Sequence, residues 1–170
     1  MVSLTILATS GGAETGPGLG ADGVTDSDRA IYQYILEMGG SFVEFPGEGG
    51  MRPAGKAHGP KITISVNDVA FESIKKGENP LKDGSLILLK TYRENGELHV
   101  YSVMYKIKGY HPKYHDWYYA GWLADGAPIV LGLYAWVGEG NKKLMKEGSG
   151  CLGSCHSRMK ERDFIFSGIK

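Results

Sequence analysis

The stretch LKDGSLILLKTYRENGELHVYSVMYK, residues 81–106, decides the fold. Its two apolar runs are separated by Asn95-Gly96, a dipeptide that strongly favours a tight turn between two antiparallel strands. A second turn signal, Asp83-Gly84, stands just ahead of the first run. The stretch therefore predicts an antiparallel hairpin in the middle of the chain.

Three other segments predict further strands. KITISV (61–66) alternates in polarity and is rich in β-branched residues. DWYYAGWLADG (116–126) is an aromatic strand that ends at another Asp-Gly turn. APIVLGLYAWVG (127–138) is a further strand by composition, although its length also allows a helix.

Two helices flank these strands. VTDSDRAIYQYILEMGG (24–40) can be capped by Thr25 or Ser27 and carries apolar residues at helical spacing. NDVAFESIKKG (67–77) has Asn67 as its expected cap. We therefore predict an α+β, mainly β fold: a single domain with an antiparallel sheet, flanking helices and a C-terminal cysteine motif.

Composition and charge narrow the class of protein. A chain of 170 residues suits one domain. Lys plus Arg and Asp plus Glu are 19 each, so no charge excess points to nucleic acid or an anionic membrane. No apolar run reaches the roughly 18 residues of a membrane span. Residues 1–24 are interpreted as an N-terminal arm or signal-peptide remnant, and 25–170 as the domain.

The chain has two cysteines, and both lie in CLGSCH, residues 151–156. A Cys-x-x-Cys-His run is the attachment signature of c-type haem. Here the spacer has three residues, and Gly153 makes a bulge between the cysteines sterically easy. The alternatives are a small Cys151–Cys155 disulfide loop and a zinc site, for which Cys151, Cys155 and His156 supply three of the usual four ligands.

The segments around this motif are expected to be short. CLGSCHSRMKE (151–161) can form a brief helix, and DFIFSGI (163–169) is interpreted as a closing extended segment. The preceding GNKKLMKEGSG (140–150) is a polar lead into the motif.

From about residue 41 to 168, the chain resembles the cytochrome P-460 family. The matching pieces occur in order: HGPKITISVNDVAFESI (58–74), LKDGSLILLK (81–90), VMYKIKGYHPKYHDWYYA (103–120), CLGSCH (151–156) and DFIF (163–166). The block containing MYK, KGY and DW is the most distinctive of these.

The resemblance implies one covalent haem c. In such a protein Cys151 and Cys155 carry the thioether bonds, and His156 is the axial ligand of the iron. The family implies a mainly β homodimer whose iron is five-coordinate and open to small ligands such as nitric oxide. Some members oxidise hydroxylamine. A redox-partner cytochrome and a periplasmic or extracellular location follow from the same resemblance.

Members that oxidise hydroxylamine have a lysine bonded to the haem ring and a distal carboxylate. In the family pattern that lysine comes five residues after the turn glycine, whereas the candidate Lys90 comes six after Gly84. One residue of slip turns a strand side chain to the other face, so a solvated Lys90 is the competing interpretation. The carboxylate candidates are Glu97 and Glu147, and both are also expected to be solvated.

The distal side of the iron has other candidates. Tyr101, Ser102 and Met104 lie on the strand leading into MYK and can cover it. A sixth ligand from the protein would suit an electron carrier, and the residues able to serve are Met104, Met145, Met159, His99, His111 and His115. Three hypotheses therefore remain: a cytochrome that binds or converts nitrogen oxides, a six-coordinate electron carrier, and a haem-free domain with a structural disulfide.

Overall fold

A nine-stranded antiparallel sheet forms the centre of the fold. The structure is a computed structural model that describes residues 24–54, 58–132, 134–136, 142–144 and 150–166. The strands are β1 Val43–Glu44, β2 Arg52–Pro53, β3 Lys61–Val66, β4 Leu86–Tyr92, β5 Leu98–Lys106, β6 Trp117–Leu123, β7 Pro128–Leu131, β8 Tyr134–Trp136 and β9 Lys142–Leu144. The helices are α1 Asp26–Met38 and α2 Asp68–Lys75, followed near the end by short helical turns at Cys151–Cys155 and His156–Arg162.

Strands β3 to β9 follow one another across the sheet as a meander, while β1 and β2 both pair with β3. The predicted hairpin is confirmed: β4 and β5 are antiparallel neighbours, and Gly96 takes a φ of 88° in the turn between them. The predicted fold class, mainly β with flanking helices in a single domain, is confirmed as well.

Both helices begin where a polar cap predicts. Thr25 and Asp28 form a capping box, in which each side chain accepts a hydrogen bond from the backbone N–H of the other. The Asn67 side chain accepts from the N–H groups of Ala70 and Leu86, both over 3.0 Å. Asn67 therefore ties the start of α2 to the start of β4.

The sheet buries a separate apolar cluster on each face. The α2-side cluster comprises Phe45, Ile62, Ile64, Val66, Ala70, Leu81, Ile87, Met104, Trp117, Tyr119, Phe164 and Ile165. The α1-side cluster comprises Val24, Ile31, Ile35, Leu86, Leu88, Val103, Tyr105, Tyr118, Ala120, Trp122 and Leu131. Burying one Leu or Ile side chain is worth roughly 1.5–3 kcal/mol, so both clusters stabilise the sheet.

The single strand expected over 127–138 is two strands, β7 and β8, and the helical alternative is wrong. Gly132 separates them with a φ of 55°, which an L side chain rarely adopts. A Cβ atom there would also overlap the hydroxyl of Tyr110, so both the backbone conformation and the space favour glycine. The apolar run hides this turn because only one of its residues breaks the strand.

Two expectations near the C-terminus need correction. The polar lead contains a strand, β9, which pairs with β8. The segment expected to be extended from Asp163 begins instead with a left-handed turn, in which Asp163 and Phe164 have φ values of 51° and 64°. Neither helix, within the described residues, is both long and apolar enough to cross a membrane.

Candidate functional site

The two cysteines lie on one wide helical turn. Cys151–Cys155 is π-helical, and a π-helical turn accommodates one residue more than an α-helical turn. The serines within and after it hold it in place: the Ser154 hydroxyl donates to the carbonyl of Gly150, and the Ser157 hydroxyl donates to the carbonyl of Gly153 over 2.6 Å. The extra spacer residue of the motif is therefore taken up by the turn itself.

Both cysteines are free thiols and exposed at the surface, so the structure does not contain the alternative disulfide. Desolvation raises the pKa of the Cys151 thiol, and the Cys155 thiol on the same turn raises it further. No group of three His, Cys, Asp or Glu side chains within the described residues is arranged to hold a metal ion. The zinc alternative therefore lacks support in the geometry.

His156 is held in a single tautomer by the backbone. Its Nδ1 lies 2.6 Å from the carbonyl oxygen of Phe164, and because a carbonyl can only accept, Nδ1 carries the proton and donates. The Nε2 atom consequently keeps its lone pair. Burial lowers the pKa of His156, although the hydrogen bond to Phe164 opposes this, so the neutral, metal-ligating form is favoured.

Two aromatic rings fix the plane of this imidazole. Tyr119 and Phe166 both stand edge-on to it, with ring centres 5.1 Å and 5.2 Å away. Tyr119 belongs to β6, so it places His156 against the α2-side face of the sheet.

The hydroxyl of Tyr119 is buried and has no hydrogen-bond partner among the described residues. Burial raises its pKa above the ordinary value, and the nearby carboxylate of Asp163 and thiol of Cys151 raise it further. Buried polar atoms in proteins are nearly always paired. An orphaned hydroxyl beside Cys151 therefore fits a site that receives a further group at this point.

The strand register sorts the predicted distal residues by face. Leu89 pairs with Ser102, and Met104 pairs with Tyr119, so Ser102 and Met104 lie on the same face as Tyr119 and His156. Leu89 and Ser102 are only half buried although they lie on central strands. This part of the face is therefore partly exposed.

Lys90 and Tyr101 pair with each other and lie on the opposite, α1-side face. The Tyr101 ring contacts Tyr32 of α1, with 6.2 Å between ring centres. The register therefore brings Ser102 and Met104 together with His156, and does not bring Lys90 and Tyr101 there.

Most candidates for a sixth iron ligand have other contacts. His115 Nδ1 is 2.8 Å from the carboxylate of Asp163, and His99 Nδ1 is 3.4 Å from the Arg93 guanidinium. The remaining described candidates are placed as follows: Met104 buried in the α2-side cluster, Met159 half buried in the turn after His156, and His111 stacked edge-on against Tyr114. Glu97 is exposed after the hairpin turn, whereas Met145 and Glu147 lie outside the described residues.

His58 is a further candidate that the sequence patterns did not single out. A charge on it lowers the pKa of His156. Burial lowers the pKa of His58 itself. Its backbone is held against β4, because the Thr91 hydroxyl donates to the His58 carbonyl over 3.0 Å and Gly59 approaches Thr91 too closely for a side chain.

Two adjacent free thiols, a following imidazole with an unprotonated Nε2, and a partly exposed sheet face beside them define the donor set of a haem c protein. Residues 54–167 match the family model described as Cytochrome P460, and the chain belongs to the cytochrome P460 family. It is a haem c cytochrome with one covalent haem. No curated protein matches the chain.

Proposed function

We propose that Cys151 and Cys155 form the thioether bonds to the haem, that His156 is the axial ligand, and that the opposite side of the iron receives small nitrogen oxides, above all nitric oxide. When bound, the haem supplies a redox-active iron with a coordination position for such a ligand. The observation that carries this proposal is the hydrogen bond from His156 Nδ1 to Phe164, because it leaves Nε2 as the only ring nitrogen able to bind iron.

The face beside His156 favours ligand binding over hydroxylamine oxidation. The position five residues after the turn glycine, where the family pattern has its lysine, is Leu89, which carries no nucleophile. Lys90 lies on the other face by register. Leu89 and Ser102 would instead lie beside the bound ligand, and neither side chain carries a charge.

His58 favours a second candidate function, a six-coordinate electron carrier. A charge on its imidazole lowers the pKa of His156, and burial lowers the pKa of His58 itself, so its ring is neutral and able to ligate. A histidine on each side of the iron would close the ligand position and suit electron transfer to a redox-partner cytochrome.

Optical spectra distinguish these functions. Purified protein should be examined in the ferric and dithionite-reduced forms, with and without nitric oxide. Sharp haem c bands that change on adding nitric oxide support the open iron. If nitric oxide does not change the bands of the wild-type protein but does change those of the His58→Ala variant, the electron carrier is supported. A broad, red-shifted reduced Soret band would instead indicate a lysine bond to the ring, and the absence of any Soret band would refute the haem proposal.

We extend the proposal to location and assembly by family resemblance. Covalent haem c attachment takes place outside the cytoplasm in bacteria, so the chain would function in the periplasm or outside the cell. The resemblance also favours a homodimer. Cell fractionation and light scattering of the haem-loaded protein test these two points.

A further inference from the structure

The strongest polar cluster outside the cysteine motif surrounds Asp163, whose side chain is fully buried. Its carboxylate accepts from Lys106 Nζ over 2.8 and 2.9 Å and from the backbone N–H of Leu81 over 2.9 Å. The third partner is His115 Nδ1 at 2.8 Å. The Lys106 side chain is only 4% exposed, so this ion pair lies inside the α2-side cluster.

Such a buried pair is costly to desolvate and is weak support for stability by itself. Its position suggests another purpose. Asp163 and Phe164 form the left-handed turn; aspartate tolerates this conformation, but a bulky residue such as Phe164 adopts it only when its surroundings impose it. The contacts that hold this turn are made by the Asp163 side chain and by the Asp163 backbone carbonyl, which accepts a hydrogen bond from Trp117 Nε1 over 2.9 Å.

The residue after Asp163 supplies the acceptor for His156. The carbonyl of Phe164 points at His156 Nδ1 because of the turn, and the Phe164 ring is wedged against His115 with 5.0 Å between ring centres. The ion pair and the imidazole are thus connected through one peptide unit. Any loosening of the turn would lengthen the hydrogen bond to the imidazole.

We propose that Asp163 is a positioning residue for the axial ligand: held by Lys106 and His115, it aims the Phe164 carbonyl at His156 Nδ1 and thereby sets the donor strength of Nε2. A hydrogen bond at Nδ1 makes an imidazole a stronger donor and orients its ring. A stronger donor favours ferric over ferrous iron. The inference rests on the proposed role of His156.

The test is Asp163→Asn in the haem-loaded protein. Asparagine keeps the shape of aspartate and tolerates a left-handed backbone, so the substitution removes mainly the charge. We expect the iron–histidine stretching band in resonance Raman spectra of the ferrous protein to move to lower wavenumber and the reduction potential to become more positive.

The matched control is Asp28→Asn on the other face of the sheet. Asp28 is also a buried carboxylate, and it accepts from the Tyr118 hydroxyl over 2.5 Å. We expect this variant to lose stability without moving the stretching band or the potential. If Asp163→Asn binds haem but shifts neither quantity, the inference is overturned.

If Asp163→Asn does not fold, His115→Asn provides the test of the inference. The His115 side chain is 30% exposed and its φ is 51°, which asparagine tolerates, so this variant should fold. A smaller shift in the same two quantities supports the inference, and no shift overturns it. If the wild-type protein does not bind haem covalently, both this inference and the proposed function are overturned. If the wild-type protein binds haem but the variants shift neither the stretching band nor the reduction potential, only this inference is overturned.

Discussion

Tyr119 stands edge-on to His156, with 5.1 Å between the ring centres, and its hydroxyl is buried without a partner among the described residues. The next residue, Tyr118, faces the other side of the sheet, and its hydroxyl donates to Asp28 over 2.5 Å. Two adjacent tyrosines thus differ: the hydroxyl of Tyr118 is paired within the protein, and that of Tyr119, on the other face, is not paired within the described residues.

Tyr119→Phe should not lower the free energy of unfolding of haem-free protein and should raise it by about 1 kcal/mol, because it removes a buried hydroxyl that makes no hydrogen bond there. In haem-loaded protein the same variant should lose about 1 kcal/mol, the net worth of one hydrogen bond. Urea unfolding of both forms provides the measurement. Tyr118→Phe is the control and should lose about 1.5–3 kcal/mol in both forms, since it breaks a bond to a carboxylate. An equal loss in both forms of Tyr119→Phe would contradict the prediction.

Ser102→Leu should weaken nitric oxide binding, because it adds bulk to the half-open face beside His156. A loss of about 1.4 kcal/mol or more, roughly tenfold in affinity, is expected from such an obstruction. Lys90→Met, on the neighbouring strand but the opposite face, should leave the affinity unchanged. Absorption titrations with nitric oxide compare the two variants. Equal effects, or an effect of Lys90→Met alone, would show that the assignment of faces is incorrect.

Acid should destabilise the protein through two histidines. The pKa values of His156 and His58 are lowered in the folded chain, chiefly by burial. Unfolded protein therefore binds more protons, so the stabilisation is complete above the unfolded pKa of about 6.5 and is lost as the pH falls below it. Urea midpoints should be flat between pH 7 and 8 and should fall between pH 6.5 and 5. His58→Gln should reduce the acid slope, and an unchanged slope would exclude His58 as a contributor.

Gly132→Ala should destabilise the protein for two separable reasons. The positive φ costs roughly 1–2 kcal/mol for a residue with a Cβ atom, and the clash with the Tyr110 hydroxyl adds to this. Gly109→Ala isolates the first effect, because Gly109 has a φ of 76° but open space around it. Thermal or urea unfolding should rank Gly132→Ala clearly below Gly109→Ala. Equal losses would mean that Tyr110 moves aside at no cost.

Local signals in the sequence predicted much of the fold. The Asn95-Gly96 turn and the polar caps Thr25 and Asn67 each act within a few residues, so they can be recognised without knowing the tertiary structure. Gly132 was missed because an apolar run with one glycine resembles a continuous strand. The turn at Asp163 and Phe164 was missed because phenylalanine has no local preference for a positive φ, and the ion pair that holds the turn joins residues distant in sequence.

The candidate site was also predictable from the sequence only in part. Adjacent residues in one motif predicted Cys151, Cys155 and His156 as the attachment group. The distal side depends on the register, in which a shift of one residue separates Leu89 from Lys90, and no local pattern determines that shift. His58 carries no paired spacing with another histidine or with a cysteine, so no sequence pattern linked it to His156.

The two faces of the sheet pack against different parts of the protein. The α1-side cluster packs a helix and contains none of the residues placed near His156, whereas the α2-side cluster includes Tyr119 and Phe164. Engineering can exploit this separation. Substitutions that fill or rigidify the α1 side could raise thermal tolerance while the redox properties stay as they are, and the other side could be redesigned for a new gas without rebuilding the scaffold.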